Sequence, residues 1–360
     1  MVSPPWPWCI CFGRLVGFNS SADLFAGNTA ADRGVFRLIA GGVRFMAMNA
    51  RFLKSVCVLC AGLLGVTLVG PSPSATGQQT LYSLPTADPG DVGLSKERLA
   101  RLDDALQEMV DNGELAGVVT MLARHGKVAF VDVAGVRDIE SKQPMTRDSI
   151  FRIQSMTKPI TGVAMMMLYE EGRWRLNDPV SRYIPEFEQL EVYTGENSDG
   201  SIQKEELDRP IMMRELMTHT AGLSYTLDMR HPVNRMFRDQ RVLNPREPLQ
   251  TMIDKMAMLP LLAQPGTRWI YSSAVDAQSY LVEKLSGQTF AEFLDERIFG
   301  PLEMGDTAFY VPVSELGRVA ARHRLDAQGA LERLSGREPL TVMPQGPTGG
   351  AGLYSTADDY

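Results

Sequence analysis

The sequence predicts an α+β fold, an antiparallel sheet flanked by helices plus a helical lobe, and three features carry that expectation. Two β runs, 116–122 and 127–133, stand close enough to pair across Arg124-His125-Gly126 as a hairpin. Amphipathic helical patterns lie on either side of them. Few further β runs occur between about 174 and 265, which sets that stretch apart as a helical lobe.

The 360 residues are 44% hydrophobic and 22% charged, ordinary for a globular protein. A net charge of −7 with no basic run gives no electrostatic reason to expect nucleic acid. Cys9, Cys11, Cys57 and Cys60 are all the cysteines, so a disulfide framework or a thiolate nucleophile is not expected beyond them. His125, His219, His231 and His323 are scattered, with no pair at metal-ligand spacing. Neither a metal nor a cofactor is expected.

A short basic start at 48–54, an uncharged apolar run at 55–70, and small residues at Ala75-Thr76-Gly77 have the layout of a secretory signal peptide. About 16 apolar residues is short for a membrane span, which needs roughly 20. The expectation is export to the periplasm or beyond, with an N-terminal membrane anchor as the alternative and no stable span after cleavage. Residues 1–47 then read as a spurious extension upstream of a start at Met46 or Met48, and 78–360 as the working domain.

Within that domain, Leu99, Leu102, Leu106, Met109 and Val110 mark a helix opened by Ser95 and closed at Asn112-Gly113. The two β runs follow, and Gly135 is expected to end the second. Ile160, Val163, Ala164, Met167 and Leu168 predict a helix with one buried face, ended by Gly172. Residues 191–209 are polar and rich in turn formers, so an exposed loop is expected there. A short helix at 213–217 ends in Thr218-His219-Thr220-Ala221-Gly222-Leu223. The methionines, Met165, Met166, Met167, Met212 and Met213 among them, read as adaptable core filling. Pro265-Gly266 makes a turn into a brief strand, Tyr271, and a helix carried by Val275, Tyr280, Leu281 and Leu285 to Gly287.

The chemistry centres on Ser155-Met156-Thr157-Lys158-Pro159. Residues three apart share a helix face, so the Lys158 amine can take the Ser155 proton without a histidine. Pro159, tolerated in a first turn, places Ser155 at the helix N-terminus, where the dipole favours developing negative charge. Alone the pattern also suits a serine cap with a solvated lysine. His219 invites a triad with Ser155, although a histidine in a helix-ending turn is more often a structural hydrogen bonder. Tyr271, otherwise a core tyrosine, could shuttle protons if it stands beside the pair.

Taken together and in this order, the motifs resemble the serine β-lactamase and penicillin-binding-protein superfamily, closest to class C β-lactamases and the β-lactamase-like (family VIII) carboxylesterases. Ser155-Met-Thr-Lys158 is similar to the first motif and Tyr271-Ser-Ser273 to the second. Leu176-Asn-Asp-Pro-Val180, residues 216–223, Gln264-Pro-Gly266, Gly349-Gly-Ala-Gly-Leu353 and Ser355-Thr-Ala-Asp-Asp-Tyr360 look like family framework. The resemblance runs from about Leu94 to Tyr360. It implies an active site between an α/β lobe and a helical lobe, with Ser155, Lys158 and Tyr271 catalytic and Ser273 at the substrate. It also implies an oxyanion donor in the Ser155 N–H. Ser273 stands where β-lactamases have an asparagine, which suits the esterase branch. The third motif (Lys-Thr-Gly and its variants) has no counterpart, so the chain is expected to be a fragment lacking the C-terminal strands. No G-x-S-x-G elbow occurs, and Gly350-Ala-Gly352 has no βαβ context for a dinucleotide.

The expected function is that of a carboxylesterase, hydrolysis of a small ester or amide through an acyl-enzyme. A β-lactamase or D-Ala-D-Ala carboxypeptidase is the first alternative. A non-catalytic binding protein is the second.

Overall fold

The computed structural model describes residues 84–336 and 338–360. The expected extension at 1–47 and signal peptide at 48–77 lie outside the described residues.

Helix α1 (Lys96–Asp111) starts where expected, the Ser95 hydroxyl accepting the Arg98 N–H at 3.3 Å. Strands β1 (Gly117–Arg124) and β2 (Lys127–Asp138) pair antiparallel across His125 and Gly126, whose φ values of 54° and 71° give the doubly left-handed turn that matches strand twist. Gly135 does not end β2. It sits at φ 76° opposite Gly117 and the strand continues to Asp138, where β3 (Gln143–Pro144) pairs with it. The glycine is needed for close approach instead: a Cβ there would collide with the Ala116 carbonyl oxygen and stand 2.8 Å from Gly117 Cα.

After β4 (Phe151–Arg152) the chain turns sharply into α2 (Thr157–Glu170). The buried face of α2 is Thr157, Ile160, Thr161, Ala164, Met165 and Leu168. Val163, expected inside, is 51% exposed, and Met167 is only half-buried. Two threonines hold their places because both hydroxyls find backbone partners, as the site requires. Gly172 closes the helix at φ 72°.

Residues 191–209 are not a loop. They form a hairpin of β5 (Glu191–Glu196) and β6 (Ile202–Glu206), with Val192 buried and Glu191 paired across the strands to Lys204 at 2.7 Å. β6 is exposed along most of its length, so its polar residues concealed the strand. Its turn is held by Asp199, which accepts the Ser201 N–H at 2.9 Å, and by Gly200 at φ 83°. The helices of this lobe are α3 (Met213–Met217), α4 (Pro232–Asp239) and α5 (Leu249–Ala257). The brief strand expected before Tyr271 makes no ladder; Ile270 N–H bonds the His219 carbonyl at 2.8 Å.

Helix α6 (Ala274–Ser286) is the buried axis of the molecule, with every residue from Ala274 to Val282 inside. Two of its buried polar members bond backbone carbonyls: Gln278 donates to Leu216 O (2.8 Å) and Ser279 to Asp276 O (2.6 Å). It packs along α2 and against α7 (Phe290–Leu294) in one large core that also holds Trp174, whose indole N–H bonds Met165 O at 2.9 Å. A small exposed hairpin, β7 (His323–Leu325) with β8 (Leu331–Arg333), precedes the last strand, β9 (Tyr354–Ser355). β9 pairs with β4, so the end of the described chain lies beside the entry to α2.

Gly135→Ala is expected to lower the unfolding free energy by about 2–4 kcal/mol, since it adds left-handed strain to a backbone clash. Denaturant melts of the parent and variant would measure it; a loss within about 0.5 kcal/mol would mean β2 relaxes freely there.

Candidate active site

The turn from β4 into α2 is made by Gln154, a non-glycine residue at φ 50°, followed by a 3-10 turn over Gln154–Met156. This bend exposes Ser155 at the head of α2 while Thr157 turns inward. Lys158 Nζ donates to Ser155 Oγ at 3.2 Å and to the Gly350 carbonyl at 2.6 Å. Tyr271 Oη donates to Ser155 Oγ at 2.7 Å, and the Lys158 ammonium stands 4.7 Å from the Tyr271 ring centroid. An amine from the same turn and a phenol from a distant segment thus meet at one hydroxyl oxygen.

Tyr271 is placed by lacing rather than by a helix. The segment before it bonds to the segment after α3 through Leu262 N–H to Gly222 O (2.7 Å) and Gly266 N–H to Thr220 O (2.8 Å). Gly266 lies against the Arg209–Glu215 pair, a bidentate bridge at 2.6 and 3.1 Å whose Glu215 also accepts the Met212 N–H. A side chain at Gly266 would break into that bridge, which gives the Gln264-Pro-Gly266 motif its physical reason.

His219 does not bond Ser155. Its ring stacks on Tyr271 at 4.9 Å, and its Nδ1 accepts the Ser272 N–H at 3.2 Å, so the ring proton sits on Nε2. Burial, then the Lys158 charge, lowers its pKa, which keeps it neutral. Trp269, 66% exposed, meets the His219 ring edge-on at 6.1 Å and extends the aromatic surface outward.

Ser273 lies deeper than Tyr271. It is 1% exposed, and its hydroxyl donates to the Ser224 carbonyl at 2.9 Å, fixing the start of α6.

Three contributors went unrecognised in the sequence. Gly350 offers its carbonyl to Lys158. Asp276, 1% exposed, accepts the Gly350 N–H at 3.0 Å, and burial pushes its carboxyl up to about 6 against the pull of Lys158. Tyr225 places its ring 6.0 Å from Lys158 Nζ, and burial raises its phenol pKa. An acid in a helix otherwise read as apolar was the available signal for Asp276. Beside Tyr271 opens a cavity of about 270 Å³ with Leu227, Leu262 and Ile270 as apolar walls and Arg268 at its edge. No group of three or more His, Cys, Asp or Glu is placed to hold a metal among the described residues.

The family model described as Beta-lactamase matches residues 102–360. Protein Rv1367c of Mycobacterium tuberculosis is 37% identical over 257 residues, covering 71% of this chain and 63% of its own length. The chain therefore spans under two thirds of that relative. Esterase EstB of Burkholderia gladioli is 32% identical over 279 residues, covering 72% of this chain and 67% of its own. Among solved structures, EstCE1, described as a hydrolase with promiscuous acyltransferase activity, superposes with a TM-score of 0.60 at 29% identity, covering 73% of this chain and 70% of that one. The fold is the β-lactamase/transpeptidase type that the motifs resembled.

Asp276 also yields a pH dependence. Its folded pKa lies above the ordinary carboxylate value, so its favourable contribution is complete below the unfolded pKa and is lost as pH rises through about 6. Asp276→Asn keeps the shape without the charge, and is expected to gain about 1–3 kcal/mol relative to the parent between about pH 4 and about pH 8. Denaturant melts at both pH values would check it; a difference independent of pH would contradict it.

Proposed function

The chain belongs to the Beta-lactamase family, and we propose that within it the protein is a serine acyl hydrolase, a carboxylesterase acting through an acyl-enzyme on Ser155. The observation that carries this reading is the meeting of Lys158 Nζ and Tyr271 Oη on Ser155 Oγ, at 3.2 and 2.7 Å. As neutral amine, Lys158 takes the Ser155 proton while Oγ bonds to the ester carbonyl carbon. Tyr271 relays that proton to the departing alkoxide, the carbon–oxygen bond breaks, and an acyl-Ser155 ester remains. Water, activated by the same groups, attacks the ester and restores the serine.

Esters are favoured over β-lactams because position 273 presents no side-chain amide to a substrate; its hydroxyl is spent on Ser224. The small cavity beside Tyr271 supports short acyl or alcohol groups. The same acyl-enzyme would pass its acyl group to an alcohol in place of water, in line with the acyl transfer for which EstCE1 is described.

The test is hydrolysis of p-nitrophenyl acetate and butyrate alongside a chromogenic cephalosporin, in the parent and in Ser155→Ala and Tyr271→Phe. Short esters are expected to be cleaved faster than the cephalosporin. Ser155→Ala should lose about 10³-fold or more, and Tyr271→Phe about 10²-fold. Cephalosporin turnover rivalling the esters would favour the β-lactamase reading, and full ester activity in Ser155→Ala would overturn the assignment.

A further inference from the structure

We propose that Asp276 is a positioning residue for Lys158: it clamps Gly350 by its N–H, and the Gly350 carbonyl then holds the amine against Ser155. The inference rests on the reading of Ser155 as nucleophile and Lys158 as base.

Asp276 occupies the first turn of α6, where a helix dipole alone would welcome an acid. Its geometry goes further. Oδ1 reaches off the helix to the Gly350 N–H at 3.0 Å, and Oδ2, fully buried, has no hydrogen-bond partner among the described residues. Residue 350 is glycine because the backbone lies directly on the carboxylate: a Cβ there would stand 2.6 Å from both oxygens. From the other side, Thr161 of α2 donates to the Gly349 carbonyl at 2.9 Å. The Gly349-Gly350 backbone is thus stitched to both central helices, and its next carbonyl has one direction left, toward Lys158 Nζ at 2.6 Å.

That contact matters for a base. A neutral amine has two N–H bonds and one lone pair; committing an N–H to Gly350 O leaves the lone pair to be turned toward the Ser155 hydroxyl. The buried carboxylate and the Lys158 charge also attract one another, a pull that lowers the Asp276 pKa against the effect of burial. The other ionisable groups facing this pair are Tyr271, Tyr225 and His219, the last kept neutral.

The test is the rate at which a fluorophosphonate modifies the full chain as a function of pH, in the parent, Asp276→Asn and Asp276→Ala. The step forms a Ser155 Oγ–phosphorus bond, expels fluoride and delivers the serine proton to Lys158, so its pH midpoint reports the base. Asp276→Ala is expected to slow modification about tenfold or more, having left the Gly350 amide unheld. Asp276→Asn, whose side-chain oxygen still accepts that N–H, should retain more of the rate than alanine does. Its midpoint should move to lower pH, because the negative charge that faces Lys158 is gone. If the alanine variant does not fold, the midpoint of the asparagine variant decides the matter. Parental rate and midpoint in both variants would overturn the proposal, and so would equal slowing of both with an unmoved midpoint, the mark of packing alone. A parent that is not modified at Ser155 would overturn the nucleophile assignment itself, and this inference with it.

Discussion

The structure depends on the passage of Gly349-Gly350-Ala351-Gly352 between α2 and α6. The two central helices pack along one another, and Ala164 on one and Ala274 and Ala277 on the other are all buried. Only bare backbone fits against them. A Cβ on Gly349 would stand 2.8 Å from Val275 O and 2.9 Å from the Thr161 side chain, and one on Gly350 would stand 2.6 Å from the Asp276 carboxylate oxygens. The strand-like exit from this passage pairs with the entry to the nucleophile: Ile153 N–H bonds Leu353 O at 3.1 Å, and Leu353 N–H bonds Thr157 Oγ1 at 3.2 Å. One crossing therefore aligns the serine turn, the lysine's acceptor and both helices.

Electrostatics follow from the same crowding. Lys158 is half-buried among a backbone carbonyl, two tyrosine rings and a carboxylate, with the serine oxygen on its open side. In so restricted a space the direction of the amine is set by these fixed groups. The neutral His219 stacked on Tyr271 suits this arrangement, since a second cation there would compete with Lys158. Reactivity then resides in a preorganised polar cluster mounted on apolar helices, which is how such sites avoid reorganisation during the reaction.

Much of this was legible in the sequence. The Ser95 cap, the His125-Gly126 hairpin and the Gly172 helix end each rest on local backbone chemistry, and local chemistry is what a sequence displays. The spacing of Ser155 and Lys158 likewise survives because it lies within a single turn. What failed was long-range. The 191–206 hairpin carries charged residues on an exposed strand and so resembled a loop. Val163 was assigned inward from periodicity, but the crossing glycines select Thr157 and Thr161 for the buried face, shifting it around the helix. The direction of the Ser273 hydroxyl, too, is set by the Ser224 carbonyl, 49 residues away in sequence, which its motif position does not display. Asp276 and Gly350 become partners only when the chain end folds back between the helices, and no local pattern displays that.

The central claim is that Ser155 carries an acyl group during turnover. The most direct measurement is acid-quenched mass spectrometry of the full chain after mixing with a p-nitrophenyl ester, followed by peptide mapping. The account predicts a single added acyl mass on the peptide containing Ser155, absent from Ser155→Ala. An acyl group on another residue, or its persistence in Ser155→Ala, would contradict it.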